Sequence, residues 1–300
     1  MVQVLLAGAS GFLGTHLRAA LTGRGHTVVG LTRGPTSGSD SASWDPAAGI
    51  LDRSLVERSD VVVCLTGSSL FGNPHSRRWQ QRLHDSRVVP TRLLAEAIAE
   101  SGRVPAFLAG NGSSWYGDHG ADPITEGADS RGDALLTEIT RAWQAATGPA
   151  ESAGARVCVL RTAPVMDRRS VTLRLLKGLY QLCLGGRLGD GQQCFPVVSL
   201  RDWTASVVRL AEHDSAAGAF NICCPETPTN AEFTAALGVE LHRPTVLPAP
   251  APLIRVALGR AAPELLRSQN LRPAALARMG HEFRDADVRE VLRAGLSGSD

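Results

Sequence analysis

The sequence predicts an α/β fold, a doubly wound parallel sheet with a smaller C-terminal lobe, and two observations carry that prediction. The first is an apolar run, Val2, Val4, Leu5 and Leu6, that passes straight into Gly8-Ala9-Ser10-Gly11-Phe12-Leu13-Gly14 and then into a helix-like segment. The second is alternation: short, almost continuously apolar runs at 60–65, 106–109 and 156–160 are separated by longer stretches with helical periodicity. Strands buried on both faces of a parallel sheet have that character, and the crossover between them needs a helix. At 300 residues the chain is long enough to bury a sizeable core.

The opening turn is the most informative segment. Gly8 permits a tight turn, Gly11 lets the backbone approach a pyrophosphate, and Gly14 lets the new helix pack closely on the strand. The helix N-terminus then offers unpaired N–H groups to the anion. A strand before the glycines and the amphipathic segment 13–21 after them supply the context this dinucleotide-binding motif requires.

Residues 26–32 (HTVVGLT) form the second predicted strand, with Thr32 and Arg33 at its end. An acidic residue there accepts hydrogen bonds from the ribose of NAD, whereas an arginine fork suits a 2′-phosphate, so the expected cofactor is NADP(H). Residues 34–43 are predicted as a loop that ends at Trp44-Asp45-Pro46. After the strand 60–65, Leu65, Thr66 and Gly67 fall at its C-terminal end, where ligands of open parallel sheets lie.

A helical region is predicted over 75–101, kinked or restarted near Val88-Val89 because Pro90 lacks an N–H. Trp79, Arg82 and Ser86 share one face of it, with Arg87 beside them. Beyond the strand 106–109 comes Gly110-Asn111-Gly112-Ser113-Ser114-Trp115-Tyr116-Gly117, whose polar and aromatic side chains fit a nicotinamide and substrate site. A helix over 131–146 and a strand over 156–160 follow, and Arg161 stands at that strand's end.

From about residue 164 the alternation loosens. A turn-rich segment at 185–191, strands at 195–200 and 219–223, a helix at 202–213 and a helix start capped by Thr229 or Asn230 are expected. The Pro-rich stretch 244–252 leads to apolar helical segments that end near Leu296. The domain reading is a cofactor-binding core over 1–165 with returning segments at about 195–225, and a substrate lobe with a small helical domain over 166–300.

A net charge of +2 leaves no electrostatic footprint for nucleic acid or an acidic membrane. The six cysteines and eight histidines show no metal-ligand spacing, and most of the cysteines lie inside apolar runs as buried thiols would. With no secretory pattern and no membrane-length apolar stretch, a cytoplasmic monomer or homodimer acting on a small molecule is expected.

The chain also resembles the atypical or extended branch of the short-chain dehydrogenase/reductase superfamily. More narrowly, it is similar to the sugar-nucleotide epimerase-like family with a small C-terminal domain. The resemblance rests on GASGFLG at 8–14, LTR at 31–33, WDPAAGILD at 44–52, RRWQQRLHDSRVVPTRLL at 77–94, WYGDHG at 115–120 and LRTAPV at 160–165. It continues through GGRLGDG at 185–191, FNICCPETPTNAEFTAALG at 220–238 and RPTVLPAPAPLIRVALG at 243–259. It implies a Rossmann-type NADP(H)-binding protein with a C-terminal substrate lobe.

The superfamily's redox chemistry uses a Ser, a Tyr and a Lys four residues after that Tyr, the lysine lowering the phenol pKa for proton exchange. Carried onto this chain, the Tyr position falls on Leu136 and the Lys position on Thr140, with Trp143 nearby, and the Ser position on Asn111. Tyr116 is the expected substitute acid/base, and Asn111, Ser113 and Ser114 would orient or polarise a carbonyl; Asp118 and His119 are outside candidates. The loop 110–114 and the segment 196–202 depart from the relatives' pattern on the side expected to face substrate. Three functions remain open: an NADP(H)-dependent oxidoreductase or epimerase, a non-redox isomerase, cyclase or dehydratase, and an NADP(H)-sensing regulatory protein.

Overall fold

The computed structural model describes residues 1–34, 38 and 40–298. Pro35, Thr36, Ser37 and Ser39 of the expected 34–43 loop lie outside the described residues.

The central sheet has seven strands: β1 (Gln3–Ala7), β2 (Thr27–Thr32), β3 (Ser41–Ser43), β4 (Val61–Cys64), β5 (Ala106–Gly112), β6 (Val157–Thr162) and β7 (Gly218–Ile222). Their order is β7-β6-β5-β4-β1-β2-β3. β1 runs parallel to both neighbours, with Ala7 opposite Leu31 on β2 and Cys64 on β4. The strand order therefore reverses between β1 and β4, the switch point beyond which open α/β sheets bind ligands. The α/β, Rossmann-type sheet expected from the alternation is present.

The chain divides into two compact units. The first comprises Met1–Asn111, Ile139–Leu160 and Thr204–Ala219, and the second Gly112–Glu138, Arg161–Trp203 and Phe220–Asp300. Gly112–Glu138 belongs to the second unit, and Thr204–Ala219 returns to the first.

Burial in the first unit follows the apolar runs. Leu5, Val62, Cys64, Phe107, Val157 and Val159 from the strands pack with Leu94, Ala95 and Ile98 from the helix Arg77–Ala99. Ser76 caps that helix by accepting from Trp79 N, and the helix continues through Pro90 without restarting. Packing of Leu83, Pro90, Leu94 and Ile98 outweighs the single ladder bond that proline removes. β3 is a second departure: Ser41, Ala42 and Ser43 pair in parallel register with Gly30, Leu31 and Thr32 where a loop was expected.

The second unit has its own core of Met166, Leu173, Tyr180, Val197, Phe233, Leu237, Val291 and Leu292. Two small parallel pairs lie here, Val165–Met166 with Val198–Ser199 and Pro123–Ile124 with Asn270–Leu271. The strand expected over 195–200 shrinks to Val198–Ser199 because the next helix, Leu200–Glu212, begins two residues early. The helix Asn230–Leu241 starts with a capping box in which Thr229 and Glu232 satisfy each other's backbone N–H groups, a device that contributes about 1 kcal/mol. Short helices Ala251–Leu258, Pro263–Leu266, Ala274–Arg278 and Val288–Ser297 complete the unit.

All six cysteines are free thiols, and Cys64, Cys158, Cys223 and Cys224 are buried. Among the described residues no helix is long and apolar enough to cross a membrane.

Candidate functional site

In the first unit the turn after β1 is shaped by what glycine omits. Gly8 has φ +85°, and a Cβ there would lie 2.8 Å from the Leu65 carbonyl carbon. At Gly14 a Cβ would lie 2.1 Å from Gly8 O, so the helix Phe12–Gly23 approaches the turn as closely as backbone allows. Gly11 is the N-cap residue, has no side chain to cap with, and its N–H bonds Gly8 O at 2.9 Å. No acidic residue occupies the first helical turn. The N–H groups of Phe12, Leu13 and Gly14 have no acceptors within the helix, so they and the positive end of the helix dipole suit an anion. The residues present fit a dinucleotide diphosphate.

Thr32 and Arg33 follow at the end of β2, and Arg33 is exposed. Thr32 donates its hydroxyl to Gly34 O at 3.3 Å. A groove of about 710 Å³ beside this turn is lined in part by Ser10, Arg18, Thr32 and Asp40. Arg18 pairs with Asp40, which neutralises the acid on this groove. Leu65 and Thr66 lie against Gly8, and Ser68 N donates to Ser86 Oγ at 2.9 Å, tying this loop to the helix Arg77–Ala99. The shared face expected for Trp79, Arg82 and Ser86 is divided in use, since Trp79 lies against Gly72 and Arg82 is exposed.

Asn111 is buried and donates its side-chain amide to Thr140 O at 3.1 Å. That bond ties the end of β5 to the helix Leu135–Ala145. Thr140 is buried, and one turn on, Trp143 donates to Thr91 Oγ1 at 2.9 Å.

The second unit contains Ser113, Ser114, Tyr116 and Arg161. Tyr116 is fully buried. Its hydroxyl donates to Asn221 Oδ1 at 2.7 Å and accepts from Arg161 Nη1 at 2.8 Å. Burial pushes the phenol up to about 12, only partly opposed by Arg161. A phenol with its proton and lone pair so engaged has nothing to exchange with a substrate, which corrects the acid/base role expected of Tyr116.

Arg161 requires a similar correction. It is buried, lies 3.5 Å from the Trp115 ring centroid and 4.8 Å from that of Tyr116, and donates to Glu126 O at 3.2 Å. The guanidinium turns onto two aromatic faces within its own unit instead of extending from the end of β6 as a cofactor ligand.

The serines have a different setting. Ser114 Oγ donates to Glu264 Oε2 at 3.0 Å and accepts from Arg267 Nη2 at 2.7 Å, while Glu264 and Arg267 form an ion pair. Glu264 Oε1 and Arg267 Nη1 are buried without a hydrogen-bond partner among the described residues. Gln269 fixes the same loop through Ser113 O at 2.8 Å and Gly117 O at 2.9 Å. None of these three C-terminal residues was expected at the site; their one local signal is the i, i+3 spacing of Glu264 and Arg267.

Comparison with known proteins agrees with this geometry. The family model described as NAD dependent epimerase/dehydratase family matches residues 4–223, and a domain of unknown function, DUF1731, matches residues 249–294. The chain is 36% identical over 290 residues to epimerase family protein ML0860 of Mycobacterium leprae (strain TN), covering 96% of this chain and 94% of that one. It is 31% identical over 299 residues to epimerase family protein SDR39U1 of Mus musculus, covering 97% and 99%. The crystal structure of human epimerase family protein SDR39U1 (isoform2) with NADPH superposes with a TM-score of 0.85 at 26% identity over 98% of each chain. With its switch-point glycine turn and its C-terminal helical segment both matched, the chain belongs to the NAD dependent epimerase/dehydratase family, in the atypical short-chain dehydrogenase/reductase branch that carries a DUF1731 domain.

Proposed function

We propose that the chain is an NADP(H)-dependent oxidoreductase or epimerase-like enzyme acting on a small polar carbonyl or alcohol without a Tyr-x-x-x-Lys dyad. The observation that carries this reading is the glycine turn, open to an anion, together with Arg33 at the end of β2. Arg33 and Thr32 would hold a 2′-phosphate. Ser10, Gly11, Phe12, Leu13 and Gly14 would hold the diphosphate, and Leu65, Thr66 and Gly67 would line the dinucleotide. The human relative crystallised with NADPH supports the choice of cofactor.

When bound, the nicotinamide supplies or accepts a hydride. In the second unit, Ser113 would hydrogen-bond the substrate oxygen, while Ser114, whose proton is given to Glu264, would position that carboxylate to take or return the proton that accompanies the hydride. The reading is tested by calorimetric titration. NADPH should bind at least tenfold more tightly than NADH, and Arg33→Ala should remove the difference. Equal affinity of the intact protein for the two cofactors would overturn the NADP(H) assignment.

A second reading is favoured by one observation: Leu136 and Thr140 cannot transfer protons, and the Tyr116 hydroxyl is engaged on both sides. An NADP(H)-binding protein without net hydride transfer, whether a non-redox isomerase or a cofactor sensor, fits it. Deuterium carried from labelled NADPH into a product excludes this second reading. Product without label, formed with no transient reduction of bound NADP+ at about 340 nm, identifies the non-redox enzyme, because an epimerase that returns the hydride to its own substrate passes through NADPH.

A further inference from the structure

The helix Arg77–Ala99 buries a cation that nothing above uses. Arg87 is 8% exposed, and no carboxylate among the described residues pairs with it. Its hydrogen bonds run from Nη1 to Leu83 O at 3.0 Å and Ser86 Oγ at 3.3 Å, and from Nη2 to Ser68 O at 3.0 Å. The Trp143 ring lies 5.5 Å from its Cζ. Three hydrogen bonds use three of the five N–H groups of a guanidinium. Nε–H and the second hydrogen of Nη2 are left over. Desolvation pulls the guanidinium down to about 10, with no neighbouring acid opposing it. A buried charge held only by neutral acceptors is costly unless an opposite charge joins it.

Gly67 shows where such a charge would enter. This glycine is exposed, while the guanidinium beside it is buried. Its φ is not in the left-handed region, so the backbone does not demand glycine. A Cβ there would lie 3.2 Å from Arg87 Cζ, 3.2 Å from Nη2 and 3.4 Å from Nε, over the same atoms that retain unused hydrogens. The missing side chain thus keeps that part of the guanidinium open. The surrounding loop belongs to the anion-binding layer, because Gly8 packs on Leu65 and Thr66 at the ends of the adjacent strands β1 and β4.

We propose that Arg87, uncovered by Gly67, is an oxyanion site that receives the diphosphate of the bound dinucleotide and supplies the positive charge that the glycine turn itself lacks. The inference rests on nucleotide binding as read above, and it assigns a second, separate role in that binding. Arg33 selects the 2′-phosphate, whereas Arg87 holds a group common to NADPH and NADH.

Calorimetric titration of the full chain with NADPH, NADH and 2′-AMP tests it, using the unmodified protein, Arg87→Met and Gly67→Ala. Arg87→Met is expected to weaken NADPH and NADH by the same factor, tenfold or more, and to leave 2′-AMP within twofold. Gly67→Ala, an exposed position with ordinary backbone, should weaken both dinucleotides in the same pattern, and it decides the matter if Arg87→Met does not fold. Dinucleotide affinities within twofold of the unmodified protein in the folded variants would overturn the proposal, as would an equal loss of 2′-AMP, which marks a general structural defect. If the unmodified protein itself binds neither dinucleotide, the cofactor reading has failed, and this site fails with it.

Discussion

The Tyr116 hydroxyl donates to Asn221 Oδ1 at 2.7 Å across 105 positions of sequence, and both side chains are buried. This bond, together with the one Tyr116 accepts from Arg161, makes the phenol part of the framework of the second unit. Tyr116→Phe should therefore lower stability by about 1–3 kcal/mol, the cost of leaving buried polar partners unmatched. NADPH affinity and any turnover should be retained. Denaturant unfolding and calorimetry on the same variant check both halves; a stable variant that has lost turnover would restore Tyr116 as the acid/base.

The same burial governs alkaline behaviour. With the folded phenol raised to about 12 from its ordinary value of 10.0, the folded state keeps a proton that the unfolded chain releases. Stability from this group is complete below pH 10 and declines as pH rises toward 12. Tyr180, the other tyrosine of the chain, is also raised by burial. Native protein at pH 10 should accordingly show less tyrosinate absorbance near 295 nm than protein unfolded in guanidinium.

Gly14→Ala is expected to abolish dinucleotide binding. Its Cβ would fall 2.1 Å from Gly8 O and 2.9 Å from Ala9 Cα, both main-chain atoms that no side-chain rotation can clear. The helix must move off the turn, and the N–H groups aimed at the anion move with it. Loss of NADPH binding by calorimetry, with far-ultraviolet circular dichroism retained, is the expected result.

Glu264→Gln and Ser114→Ala should reduce turnover by 10²-fold or more, the usual scale of a lost acid/base, and leave NADPH affinity unchanged. Steady-state kinetics with NADPH monitored at 340 nm, once a carbonyl substrate is found, gives the comparison. Full activity in Glu264→Gln would remove the carboxylate from the reaction.

The parts of this architecture that depend on local chemistry are legible in the chain. The glycine turn declares itself by spacing, and Val61–Cys64 and the 157–160 part of Val157–Thr162 by unbroken apolar runs. The helix beginning at Asn230 does so through the Thr229–Glu232 capping box. β3 is not legible, because Ser41, Ala42 and Ser43 carry no apolar pattern and are held by main-chain pairing to β2. Long-range partnerships were equally hidden. Ser114 meets Glu264 across 150 positions, and no periodicity within either segment announces the other. Tyr116 and Arg161 misled for a related reason: polar residues at strand ends resemble a ligand site until their mutual contacts are known.

One feature of the first unit reaches beyond binding. Its chain comes in three pieces, Met1–Asn111, Ile139–Leu160 and Thr204–Ala219, so its last piece is made long after its first. On the ribosome, β1 to β5 emerge well before β6 exists to cover the edge that β5 presents, and β6 in turn waits for β7. Closing contacts over such separations is entropically slow, and an uncovered strand edge invites association with other chains. Recovery of soluble protein should therefore depend on synthesis continuing past Ala219, and a chain ending near Leu160 would be left with an incomplete sheet.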